Sequence, residues 1–300
     1  MPAAPVFFFP GCPLVDNCRP KPYNQIIAFF PSDVLENFDM PTSYSSVSEL
    51  ELPLEIRLVC QAAQMVLENG GETYRVEETA LRMAKGFGLR DVNIVAFPTS
   101  LFVNAGCVSQ VRRITHRGTN TARLARINDV SRHVERGEMN AQDAQRMLNA
   151  IADDPGWSQR VMVFAGGAAA AGFCLMFGGT IGSLLISLLI GMIAMAIQPL
   201  FSHMAMGSLF GNFTGGLLTA FIAHGAALLV PYGDPNIAII GGIMPLLSGL
   251  LMTTAVRDTV YGDLVSGITR AVEALLLAAS VALGVYVGLK FAAMLGGVLL

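Results

Sequence analysis

The sequence predicts a helical membrane bundle of about five spans, preceded by a small α+β domain. Two observations carry this. Only three Lys/Arg (Arg257, Arg270, Lys290) fall in the last 140 residues, whereas fourteen fall between Arg57 and Arg160. From Val161 onward the chain is almost continuously apolar and broken mainly by glycine. A globular helix needs a wet face. A run of ~20 apolar residues matches the hydrocarbon core of a bilayer instead. Net charge is −3, and a nucleic-acid binder would show a basic excess. Five scattered cysteines (Cys12, Cys18, Cys60, Cys107, Cys174) contain no CxxC pair and no zinc spacing. They read as reduced thiols, with no metal site or cofactor.

Residues 1–49 are rich in Pro and Phe without helical or strand period. They lack the basic n-region of a secretory signal. The expectation is a disordered tail, or an upstream misannotation of a chain starting at Met40. The domain at 50–157 opens with a helix over 53–69, marked by Leu54, Leu58, Ala62, Met65 and Val66 at helical spacing. Gly70-Gly71 ends it. A second helix runs from Glu72 to Lys85, with Glu78 and Arg82 spaced to pair. The period then drops to two. Val92, Ile94 and Ala96, then Leu101 and Val103, then Val108 and Gln110 face one way, which predicts two or three short strands. Helices at 120–136 and 141–152 follow, the second with Asn140 at its cap. Trp157 and Arg160 sit where an interfacial belt belongs.

Spans are predicted at 160–177, 180–198, 206–230, 236–255 and 272–295. The Lys/Arg bias places the first domain, Arg257 and Arg270 in the cytoplasm and the Asp234 loop outside. Gly207, Gly211 and Gly215, spaced by four, offer a bare helix face for close approach, as do Gly284 and Gly288. Pro245 and Gly249 lie within the fourth span, which reads either as a kink or as a broken helix exposing backbone dipoles to a polar substrate. Thr253, Thr254, Asn212, His203 and His224 are the other polar groups in or near the spans. Arg257, Asp258, Asp263, Arg270 and Glu273 cluster between spans four and five, where they pair or line a wet vestibule. Burial of Asp258 or Asp263 would fit either to carry a coupling proton. Glu72, Arg75 and Glu77 follow the Gly-Gly turn, as a capped helix start or as a gate.

The segment Gly70-Gly71-Glu72-Thr73-Tyr74-Arg75-Val76-Glu77-Glu78 resembles the signature of the threonine/serine exporter family in its split-subunit, YjjP-like form. Phe97-Pro98-Thr99, Val111-Arg112-Arg113-Ile114, the stretch Leu124 to Arg132, and Ala255-Val256-Arg257-Asp258 running to Arg270 are similar to it too. Where the family carries Pro-Gly in the fourth span, this chain has Ser248-Gly249, with Pro245 earlier. The resemblance implies secondary export of threonine/serine or of a dicarboxylate such as succinate, driven by the proton motive force. It also implies a bacterial inner-membrane location and a small second membrane subunit, a homo-oligomer, or both. The other class of reading is a membrane-tethered hydrolase-like or regulatory module. Against it, the chain has no GxSxG, HExxH or phosphate loop, and His116 and His133 have no obvious catalytic partners.

Overall fold

The structure, a computed structural model, describes residues 6–8, 52–106, 108–201, 207–227 and 233–299. Apart from Val6–Phe8, the expectation for residues 1–49 falls outside the described residues, as do Cys12, Cys18, Cys107 and His203. The chain divides into two compact units. One comprises Met1–Asp154 with Arg257–Ser266, the other Pro155–Val256 with Gly267–Leu300.

The first unit pairs four helices with a small antiparallel sheet. Helix α1 (Leu54–Glu68) starts after Pro53 and buries Ile56, Leu58, Val59, Ala62, Ala63 and Val66. It ends in a turn where Gly70 takes φ +85° and donates to the Leu67 carbonyl. A side chain at Gly71 would strike Val66, so the pair answers two demands, backbone conformation and space. Helix α2 (Thr73–Gly86) follows at once. The sheet has the order β1-β4-β3-β2, from β1 (Val6–Phe8), β2 (Val92–Phe97), β3 (Ser100–Ala105) and β4 (Val108–Arg113). Ile94 pairs with Val103, Ala96 with Leu101, and Val103 with Gln110. This register sends Ile94, Ala96, Leu101, Val103, Val108 and Gln110 to the buried side. Helices α3 (Thr121–Glu135) and α4 (Ala141–Ala152) close the core with Leu124, Ile127, Val130, Leu148 and Ile151. Each has an Asn cap. Asn120 Oδ1 accepts from the Arg123 N–H and Asn140 Oδ1 from the Asp143 N–H. Arg123 and Arg126 both reach Asp154. Arg112 donates to Gln64 Oε1 at 2.9 Å. Burial pulls its guanidinium down to about 10.

The second unit is wholly helical in its described residues: α5 (Gln159–Met176), α6 (Ile181–Phe201), α7 (Gly207–Ala227), α8 (Pro235–Ile243), a 3₁₀ turn (Met244–Leu246), α9 (Gly249–Val260) and α10 (Leu264–Leu299). Only the last turn of α9 and the first residues of α10 belong to the first unit. Helices α5, α6 and α10 are long and apolar enough to cross a membrane. The α8–α9 pair makes a fourth crossing if its two bent halves count as one. Helix α7 is as long as α6, at 21 residues, but Asn212, Thr214, Thr219 and His224 make it less apolar. One boundary differs clearly from expectation. Helix α10 begins at Leu264, so the polar stretch before 272 is helix rather than loop. At 36 residues it extends about 54 Å, well past the hydrocarbon core.

Packing in this unit runs through glycine and small polar residues. Gly191 of α6 lies against the Gly166 carbonyl of α5. Gly241 of α8 nests on Ser187 of α6 and the Ala170 carbonyl of α5. The close approach between α7 and α10 uses Gly216, Gly284 and Gly288, each of which would drive a Cβ into the other helix's backbone. The face predicted from Gly207, Gly211 and Gly215 is only partly used that way. Gly215 is tight against Leu246, whereas a Cβ at Gly211 would make ordinary contact with Phe201.

Candidate functional site

The polar residues singled out by sequence fall into two groups, one in each unit. In the first unit, the turn joining α9 to α10 is bound at the N-terminus of α2. An α-helix leaves its first N–H groups without intrahelical partners. At α2 the residue in the capping position is Glu72, and its side chain makes no cap bond. The acceptor comes instead from 185 residues away: Asp258 Oδ1 takes the Thr73 N–H at 3.1 Å. Asp263 Oδ2 accepts from the Thr73 hydroxyl at 2.9 Å. Glu72 pairs with Arg257 and, at 3.4 Å, with Arg75. Tyr74 stacks on Tyr261 with ring centroids 4.1 Å apart. The turn itself is fixed by Gly262 at φ +97° and by the Asp263 N–H donating to the Asp258 carbonyl at 2.8 Å. Arg257, Asp258 and Asp263 therefore bind the start of α2.

Two carboxyls on α2 are shifted in opposite directions. Burial pushes the Glu72 carboxyl up. Its backbone N–H, Arg257 and Arg75 outweigh that and hold it below the ordinary range. Burial raises the Glu77 carboxyl, the Ala96 N–H at 3.0 Å opposes the rise, and the Asp263 charge reinforces it. A carboxyl raised in the folded protein contributes stability that is present at low pH and lost as pH rises through its folded pKa. In a Glu77→Gln variant the amide oxygen still accepts from Ala96. We expect its thermal midpoint in detergent to exceed wild type at pH 7.5, with the difference shrinking as pH approaches 4.5. A difference constant with pH would contradict the assignment.

The others lie in the second unit, where Asn212 meets the break in the α8–α9 pair. Asp234 caps α8 by accepting from the Asn236 N–H. The helix runs nine residues, tightens into the 3₁₀ turn containing Pro245, and turns extended at Leu247. It restarts at Gly249, bent by 55°. This is a broken helix, not a kink. Pro245 supplies no N–H to continue the ladder. Asn212 of α7, 4% exposed, donates from Nδ2 to the Leu246 carbonyl at 3.3 Å. Its Oδ1 accepts from Gln198 Nε2 at 3.1 Å. Thr219, two turns on, is buried and donates to its own helix at the Gly215 carbonyl. Thr253 and Thr254 likewise bond carbonyls three residues back in α9. His224 sits half-buried on α7, its Nδ1 enclosed without a hydrogen-bond partner among the described residues. Arg270 is buried early in α10 and Glu273 is half-buried one turn later. Among the described residues, no three His, Cys, Asp or Glu are placed to hold a metal ion.

Sequence reasoning missed Thr73, Tyr74 and Tyr261, which complete the first group, and Gln198 and the Leu246 carbonyl, which complete the second. Thr73 was visible only as part of a motif. Its partners are remote in sequence, and no local spacing reveals them. Gln198 did carry a signal, being a lone amide near the end of an apolar helix.

A family model described as "Putative threonine/serine exporter" (ThrE) matches residues 57–292. The "Probable threonine/serine exporter" of Mycobacterium tuberculosis is 24% identical over 251 residues, covering 81% of this chain and 47% of its own length. The chain thus spans about half of that relative. Two proteins named "Probable succinate transporter subunit YjjP" match over most of their lengths. The one from Klebsiella aerogenes is 25% identical, covering 76% of this chain and 90% of its own. The one from Escherichia coli K12 is 24% identical, covering 78% and 93%. No solved structure matches the chain.

Proposed function

The chain belongs to the threonine/serine exporter family, and from that premise we propose that it is one subunit of a secondary transporter exporting small hydrophilic metabolites. The observation that carries this is the broken α8–α9 helix, with a buried amide bonded to its free carbonyl inside an apolar bundle. Irregular backbone within a bilayer is tolerated where it is enclosed by protein or lines a polar path. A mere anchor needs one unbroken span and none of this.

Five crossings are supported by parity. The α9–α10 turn is bound at α2, so both lie on the same side of the membrane. An even number of crossings must then separate Pro155 from Arg257. Helices α5 and α6 supply two, so α7 and the broken pair both cross or neither does. The 55° bend suits a broken span, and on the reading that both cross, α10 makes the fifth. The Lys/Arg bias supports a cytoplasmic position for the first unit.

An odd number of crossings suits a second membrane subunit inserted in the opposite sense, a common arrangement for alternating access. Two relatives carry the word "subunit" in their names, which agrees. The proton motive force is the proposed drive. The test is an efflux panel in bacteria expressing the chain with and without its short partner. Serine, threonine and succinate should be screened for faster loss from loaded cells. Acceleration of at least one, abolished by an uncoupler, is the expected result. Unchanged efflux of all three in the presence of both subunits would contradict the proposal.

A further inference from the structure

Resting on that transporter reading, we propose that Asn212, Gln198 and the Leu246 carbonyl form the station that holds the hydrogen-bond-donating group of the cargo, an ammonium or a hydroxyl. The Leu246 carbonyl closes the 3₁₀ turn, and the chain is extended at the next residue, with ψ 124° at Leu247. No helical ladder continues there. A backbone acceptor in an apolar bundle must find a donor, and Asn212 provides it. The bonds that Asn212 makes, 3.3 Å to Leu246 and 3.1 Å from Gln198, are longer than the usual 2.9–3.0 Å or so of N–H···O bonds. A cargo hydroxyl between them donates to the Leu246 carbonyl and accepts from the displaced Asn212 amide, and a cargo ammonium donates there while the cargo's own carboxylate accepts from the amide. Either exchange leaves no polar atom stranded.

The station lies where the broken helix packs closely on α7. Asn212, Gly215 and Thr219 share one face of α7. Leu246 lies so close to Gly215 that an added Cβ would come within 2.9 Å of its side chain. Gly242 of α8 lies next to Thr219. The broken helix is thus seated on a face of small side chains and one amide, Asn212.

Charge selects the cargo. From Val161 to Val256 there is no Lys or Arg, and the one acidic residue, Asp234, caps α8. The station offers a backbone carbonyl and two amides, which include three acceptor oxygens and no cation. It can hold an ammonium or a hydroxyl. A cargo hydroxyl or ammonium has a proton to donate to these oxygens, whereas an ionised dicarboxylate has none.

The test is exchange in proteoliposomes holding the full chain and its short partner subunit, with L-serine and succinate as probes. Asn212→Ala is expected to raise the KM for serine about tenfold, the factor that corresponds to about 1.4 kcal/mol, while maximal rate stays largely intact. Gln198→Ala, at the half-buried end of α6, is expected to raise it by a smaller factor, and it keeps the test decisive if the first variant fails to fold. Unchanged KM with a lower maximal rate in the folded variants would mean a structural role and overturn the station. Exchange of succinate but not serine, with KM raised by the same variants, would overturn the donor assignment. If wild type exchanges neither probe, the transporter reading falls, and the station with it.

Discussion

Asp258→Ala is expected to reduce export at least tenfold and to lower the thermal midpoint of the purified protein. The carboxylate is fully buried and accepts the Thr73 N–H at the start of α2. Removing it leaves a buried donor unsatisfied, a cost of about 1–3 kcal/mol. Asp258→Asn keeps an acceptor at the same place and should retain more activity than the alanine variant. The ion pair beside it makes the companion prediction. Arg257→Glu sets a second carboxylate against Glu72, whose side chain is only 7% exposed, and should be as damaging as Asp258→Ala. Adding Glu72→Arg restores opposite signs across the contact. The rescue should be incomplete, because Arg75 lies 3.4 Å from the same position and would face a like charge. Arg146→Glu, in an exposed pair with Asp143 on α4, serves as the control and should change nothing measurable. If Asp258→Ala exports at the wild-type rate, the contact between the α9–α10 turn and α2 is dispensable.

Gly284→Leu is expected to abolish folded protein in the membrane. A Cβ at this position would lie 2.1 Å from the Phe213 carbonyl oxygen, and backbone cannot yield as a flexible side chain can. Gly284→Ala already introduces that atom and should sharply reduce the monodisperse fraction in size-exclusion chromatography. Gly225→Ala in α7 is the contrast. Nothing lies within 4 Å of the added atom, and alanine is favoured over glycine in a helix by about 1 kcal/mol. Its yield should match or exceed wild type. Equal yields for Gly284→Ala and Gly225→Ala would refute the close approach of α7 and α10.

Local pattern made much of the first unit legible. The strand alternation through Ile94, Ala96, Leu101 and Val103 fixed which face is buried, because a pleat has period two. The helix at Ala141–Ala152 and its Asn140 cap were readable for the same reason: cap, period and stop all lie within a few residues. What sequence did not show was everything set by distant partners. Asp258 reads as one of a charged run beside the membrane, and nothing nearby says that it caps a helix 185 residues earlier. Among the glycines, spacing by four pointed to Gly211, whereas the helix rotation fixed by packing presents Gly216 to α10. Pro245 announced trouble in the fourth span. Whether it kinks or breaks the helix depends on a donor for Leu246, and that donor is Asn212 of another helix. Helix α10 extended back to Leu264 because Asp263 and Gly262 form a tight turn immediately after α9.

The central claim is that this bundle moves small polar molecules across a bilayer. Purified chain and partner subunit, reconstituted together in vesicles with an imposed pH gradient, test it most directly when uptake of labelled serine and succinate is followed over time. The account predicts uptake that requires both proteins and collapses with the gradient, with serine favoured. Vesicles that hold folded protein and both subunits yet accumulate neither compound would contradict it.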